Sequence, residues 1–200
     1  PAITSYTVTA SPGGASCTVN APATSCAVSG ITNGTAYTFA VTANNGLFTS
    51  SASTASSSVV PATVPDAPTS VTATSSTSGS ATVAFTAPVS NGGSAITGYR
   101  ITSSPAGATC VVGANATTYT CTGLTDGTAY TFGVVAINNV GNSVSATSSS
   151  VTTQGAASAP TTISATAGDG KATVTFSGAV ANGSTITGYT VQAYDNTGNA

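Results

Sequence analysis

A repeat of about 92 residues runs through this chain and limits what it can fold into. Ile3, Thr4, Tyr6, Cys17, Gly34, Tyr37 and Phe39 recur as Ile96, Thr97, Tyr99, Cys110, Gly127, Tyr130 and Phe132. Ala67-Pro68-Thr69 and Val71 return as Ala159-Pro160-Thr161 and Ile163, and Val83 and Phe85 as Val174 and Phe176. Ile96-Thr97-Gly98-Tyr99 returns as Ile186-Thr187-Gly188-Tyr189. Residues 63–154 make one full period, residues 1–62 lack its opening third and residues 155–200 stop halfway. Both ends are therefore expected to be cuts in a longer array. The boundaries fall at Pro61–Pro68 and Gln154–Pro160. Joints this short, with proline in them, are semi-rigid, so consecutive copies are expected to form a rod of beads.

Inside the period the apolar residues alternate. Ala81, Val83 and Phe85 share one face against Thr82, Ala84 and Thr86, and Tyr130, Phe132, Val134 and Ala136 share another against Thr131, Gly133 and Val135. Period two is the strand signature. Turn clusters such as Ser90-Asn91-Gly92-Gly93 and Asn138-Asn139-Val140-Gly141-Asn142 punctuate the pattern. With Thr, Val, Ile and Tyr abundant, the full copy is expected to be all-β, with seven short antiparallel strands and no helix.

Composition removes most chemistry. Ser and Thr supply about a third of the residues, and the charged side chains are Arg100 and Lys171 against Asp66, Asp126, Asp169 and Asp195. One Arg and one Lys cannot neutralise the several phosphates on which nucleic-acid affinity rests, so no nucleic-acid partner is expected. The commonest general base and metal ligand is missing, since the chain has no His. No run approaches the roughly 20 apolar residues of a membrane span, and the residues from Pro1 onward show no basic n-region or apolar h-region of a signal peptide. At 40% hydrophobic residues the chain still has enough apolar surface for packed cores.

Leu124-Thr125-Asp126-Gly127-Thr128-Ala129-Tyr130-Thr131-Phe132 carries a family likeness. With Ile31, Gly34, Thr35 and Tyr37 matching it in the first copy, the chain resembles tandem fibronectin type III domains of secreted bacterial proteins. Pro65 and Pro68 at the domain start, Ile96-Thr97-Gly98-Tyr99-Arg100-Ile101 on strand C, and Asn138–Ser143 between strands F and G extend the resemblance over the whole chain. It implies immunoglobulin-like β-sandwiches, with strands C to G in residues 1–62, a complete domain in 63–154 and strands A to C in 155–200. It also implies a structural corner at Gly34 and Tyr37, and at Gly127 and Tyr130, where each Tyr hydroxyl bonds back to upstream backbone. Phe85 and Phe176 stand where the family usually has Trp. Tyr6, Tyr99, Tyr189, Tyr37 and Tyr130, at matched positions, are expected in the core.

Cys17 and Cys26 form one pair of cysteines in the first copy, and Cys110 and Cys121 one in the second. One pair per repeat points to a disulfide within each. Aligning the corners sets Cys121 opposite Val28 and Cys26 opposite Tyr119, a shift of two residues that keeps the strand face. If strands C′ and E carry them, each bond staples a sandwich edge, which implies an oxidising compartment.

The four Asp occupy non-equivalent places, a linker, a corner, a turn and a post-strand segment, so no catalytic carboxylate pair is expected. The Ser and Thr hydroxyls have no base to activate them. Asp195-Asn196-Thr197-Gly198-Asn199 lacks the later Glu of a calcium loop and is expected to be a turn. The sequons at Asn33, Asn115 and Asn182 follow from Ser/Thr abundance, and those before Gly34 and Gly183 suit turns. Catalytic residues, cofactors and metals are accordingly expected to be none.

The loops carry neither clustered aromatics nor Arg, the residues that dominate binding energy. The expected role is a non-catalytic spacer or stalk in a larger extracellular, secreted or cell-surface protein, its partners being other domains of the same chain. The alternative is an adhesive module that binds polysaccharide or a surface protein, without membrane insertion in this segment.

Overall fold

The computed structural model describes residues 1–194, and among these there is no helix. The chain divides into two compact units. One comprises Pro1–Ala67, Pro88–Gly98 and Ala136–Val144, the other Pro68–Ala87, Tyr99–Val135 and Ser145–Ala200. Each unit holds one of the two linkers together with the loops on either side of it.

The middle copy contains β4 (Thr69–Ser75), β5 (Ser80–Thr86), β6 (Ile96–Ser104), β7 (Thr109–Gly113), β8 (Thr118–Thr122), β9 (Ala129–Asn138), β10 (Ala146–Thr147) and β11 (Val151–Thr152). One sheet runs β4-β5-β8. The other runs β10-β9-β6-β7, with β11 also on β9. The last two short strands lie along one edge, so seven strand positions are filled, all in antiparallel pairs where the register is defined. The alternation seen in the sequence is the alternation of burial: Ala81, Val83 and Phe85, and Tyr130, Phe132, Val134 and Ala136, are all buried. Phe85 packs on Tyr99 with ring centroids 4.7 Å apart, a tilted aromatic pair that fills the space between the sheets.

The first copy holds β1 (Ser5–Ser11), β2 (Ser16–Asn20) and β3 (Thr38–Asn44), in the order β2-β1-β3. Residues 22–29, which match β8, form no strand. In the middle copy β8 is paired by β5, and residues 1–62 contain no counterpart of β5. The expected strand E of the first copy is thus corrected to an irregular segment, because a strand without a ladder partner leaves its backbone groups unpaired, and the expected strand G is corrected as well, since residues 50–58 form no strand.

The third copy holds β12 (Thr162–Gly168) and β13 (Lys171–Ser177), paired along their whole length. The expected strand C at Ile186–Val191 is likewise corrected, as these residues form no strand. Its match, β6, is held between β9 and β7 in the middle copy, and among the described residues no such neighbours flank it here. Phe176 still meets Tyr189 at 4.7 Å, repeating the Phe85–Tyr99 pair. Tyr189 is nonetheless 53% exposed where Tyr99 is 1% exposed, since among the described residues no second sheet covers it. Tyr6 is half-buried for the same reason. The expectation that these two lie in a core is therefore corrected, while Tyr37, Tyr99 and Tyr130 are buried.

Candidate functional site

The corner before β9 is built by one hydroxyl. Thr125 N–H donates to Tyr130 Oη at 3.1 Å, and in the first copy Thr32 N–H donates to Tyr37 Oη at 3.0 Å. Tyr130 itself lies on the inner face of β9, so burying its ring drags the preceding turn onto the sandwich. Gly127 and Gly34 take φ of 73° and 82°, a left-handed conformation that favours glycine.

Asp126 sits beside Gly127 and reaches the β4–β5 turn. Its carboxylate accepts Gly79 N–H at 2.7 Å and the Ser78 hydroxyl at 2.5 Å. The Ser78 hydroxyl, and after it the Gly79 N–H, hold the carboxyl below the usual aspartate range. Asp66 lies in the first linker and Asp169 in the β12–β13 turn, so the structure does not bring these acids together. Asp195 and the loop following it lie outside the described residues. Among the described residues no three potential ligands group as a metal site.

Each cysteine pair is bonded within its copy. Cys110 on β7 joins Cys121 on β8 with Cα atoms 6.3 Å apart, linking the edge strands of the two sheets. Cys17 on β2 joins Cys26 with Cα atoms 6.2 Å apart, and Cys26 lies in the irregular segment rather than on a strand.

The corner glycines also serve the linkers. Gly34 N–H donates to Pro61 O at 2.8 Å, Thr63 N–H to Gly92 O at 2.8 Å and Asp66 N–H to Ser90 O at 3.0 Å. At the second linker Gly127 N–H donates to Thr153 O at 2.9 Å, Gly155 N–H to Asn182 O at 2.8 Å and Ser158 N–H to Val180 O at 3.0 Å. These three bonds recur in both joints. In both, the linker backbone runs between the corner of one copy and the turn after the second strand of the next. A Cβ on Gly93 would collide with Gly34 N, and one on Gly183 with Thr153 O. Side chains finish each joint differently. Asn138 Nδ2 donates to Thr63 O and Asn91 O at 2.8 and 2.9 Å, whereas Asn182 Nδ2 donates to Ala156 O at 2.7 Å. The sequon nitrogen of Asn182 is therefore engaged in a joint.

A second device escaped the sequence reading. Ser50, Ser53 and Ser56 face Ala43, Val41 and Phe39 of β3. Ser143 and Ser148 face Ala136 and Phe132 of β9, and Ser158 faces Val180. In all six, the serine N–H donates to the partner's carbonyl at 2.8–3.0 Å, and the partner's N–H donates to the serine Oγ at 2.9–3.0 Å. The hydroxyl then donates to the carbonyl of the next residue. Ser50, Ser53 and Ser56 are spaced by three against partners spaced by two, so no regular ladder is possible there. The hydroxyl supplies the acceptor that a partner strand's carbonyl would otherwise give. The only signal in the sequence was serine at every third place in Ser50–Ser56, which abundance masked.

Two facing sheets of four and three strand positions, with a tyrosine corner and a joint that recurs, define a module of the immunoglobulin-like type present in tandem. Residues 1–59 and 66–154 match the fibronectin type III domain, and the chain belongs to that family. It is 38% identical over 151 residues to chitinase A1 of Niallia circulans, a match covering 72% of this chain and 21% of that protein. To exoglucanase B of Cellulomonas fimi it is 39% identical over 142 residues, covering 67% of this chain and 13% of that protein. The chain thus spans about a fifth or less of these relatives. Among solved structures, a two-domain fibronectin type III segment of chicken tenascin is similar at 24% identity and a TM-score of 0.44, covering 76% of this chain and 86% of that one.

Proposed function

We propose that the chain is a non-catalytic spacer within a larger extracellular or cell-wall-associated protein, with domains cut at 1–62, 63–154 and 155–200. The observation that carries the reading is repetition: the same sandwich pattern and the same backbone joint recur, as a module used for length requires. The exposed strand faces support it. Thr7 pairs with Thr18 at 2.9 Å, Thr82 with Thr120 at 3.0 Å and Ser164 with Thr175 at 2.6 Å, giving each copy a neutral hydroxyl coat. Such a surface offers charged partners little to hold. The two disulfides support an oxidising compartment outside the cytosol. A chitinase and an exoglucanase among the relatives support a polysaccharide-degrading parent.

Those same relatives favour, as a second reading, a module that itself touches polysaccharide. The chain incubated with insoluble chitin and cellulose separates the two. A spacer stays in the supernatant, and saturable retention on either solid would replace the spacer reading with the binding one.

A further inference from the structure

We infer that the turn Ser90–Gly93 and the corner at Gly34 are two halves of a repeat-to-repeat docking surface. The surface reads the linker by its backbone and takes as its partner another fibronectin repeat of this kind. The inference deepens the spacer reading by naming what sets the spacing. Each joint lies wholly inside one compact unit of the chain.

The two linkers share almost no side chains. The first reads Pro61-Ala62-Thr63-Val64-Pro65-Asp66 and the second Thr153-Gln154-Gly155-Ala156-Ala157-Ser158. Three of their backbone hydrogen bonds are nevertheless equivalent, so what the two joints have in common is not a side chain. What stays constant is a carbonyl at Pro61 or Thr153, an N–H at Thr63 or Gly155, and an N–H at Asp66 or Ser158. Pro65 lacks an N–H and falls, like Ala157 in the second linker, where none is used, whereas Pro61 lacks the N–H that Thr153 donates to Thr128 O at 3.1 Å. Pro65 stiffens the linker without removing a donor that the second joint uses.

The receiving side is shaped by glycine for two separate reasons. Gly34, Gly93, Gly127 and Gly183 have φ of 82°, 84°, 73° and 86°. The space beside them is also occupied by backbone. A Cβ on Gly34 would lie 3.0 Å from Gly93 Cα, and one on Gly92 would strike the carbonyls of Thr63 and Val64. A turn alone would need only the first property, so the second marks a surface for close approach of another backbone. Asn138 closes the first joint. Its Oδ1 accepts Val140 N–H at 2.9 Å and so shapes its own turn, which leaves Nδ2 to hold Thr63 O. Asn45, the match of Asn138, holds the same turn through Leu47 and Phe48 N–H.

Amide hydrogen exchange on the full chain, resolved by NMR, tests this. Thr63, Asp66, Gly155 and Ser158 N–H are expected to exchange at least about tenfold more slowly than free-peptide rates. Thr63→Pro removes one donor without touching a sandwich core, and should release Asp66 while Gly155 and Ser158 stay protected. Gly93→Val should release both Thr63 and Asp66. Free-peptide exchange at all four amides in the unaltered chain would overturn the inference, as would undiminished Asp66 protection in Thr63→Pro. Retention on chitin would remove the spacer reading and leave this result standing, so the two failures are distinguishable.

Discussion

The carboxylate of Asp126 accepts the Gly79 N–H at 2.7 Å, tying the corner before β9 to the turn between β4 and β5. With the Ser78 hydroxyl as a second donor, the ionised form is the one that the folded chain favours.

An acid-dependent loss of stability follows. The folded Asp126 value is lowered from the ordinary 3.8, so its contribution is present above that pH and disappears as pH falls through the folded value. Asp126→Asn accepts fewer bonds and does not titrate. Its melting temperature is expected to lie below that of the parent chain at pH 7, and the gap to be smaller at a pH well below 3.8. Equal gaps at both pH values in calorimetry would contradict this assignment.

Ser148→Ala should cost about 1–3 kcal/mol, because it strips the acceptor from Phe132 N–H inside the buried edge of β9. Ser53→Ala, in the same arrangement but exposed, lets water replace the hydroxyl on Val41 N–H and should cost less than about 1 kcal/mol. Urea unfolding followed by circular dichroism ranks the two.

At the corner, Tyr130→Phe keeps the ring and deletes the acceptor for Thr125 N–H. The expected loss is about 1 kcal/mol, with Thr125 amide exchange accelerated and the β5 amides unaffected. Tyr37→Phe should release Thr32 in the same manner.

Reduction of Cys110–Cys121 opens a loop of 11 residues and should lower stability by about 3 kcal/mol by loop-closure entropy. Thiol titration of the denatured, unreduced protein is expected to find no free cysteine. Four free thiols would contradict both bonds and the oxidising compartment they support.

The middle sandwich was legible because its signals are local. Alternation along residues 81–85 and 130–136 reports burial at once, since successive side chains on a strand face opposite sides. The Leu124–Tyr130 run reports a corner because its hydrogen bond spans five residues. The partial copies were read less well. Residues 22–29 and 186–191 have strand sequences in the wrong company, and a strand exists only with a neighbour to take its hydrogen bonds. Gly34, Gly127 and the Gly92-Gly93 pair were all visible as turn residues. Their second duty, letting one backbone approach another, depends on which turns meet.

By itself, the amino-acid order determined the period, the alternating faces, the cysteine pairing by copy and the poverty of reactive groups. These are properties of residue identity and near spacing. Only the tertiary structure decided that Asp126 closes a turn 47 residues upstream, that serine hydroxyls complete the strand edges and that both linkers are gripped by equivalent backbone bonds. Such contacts join groups far apart in sequence, through N–H and C=O groups that nearly every residue carries. Their partners are chosen by where the folded backbone brings them, not by which side chain they bear.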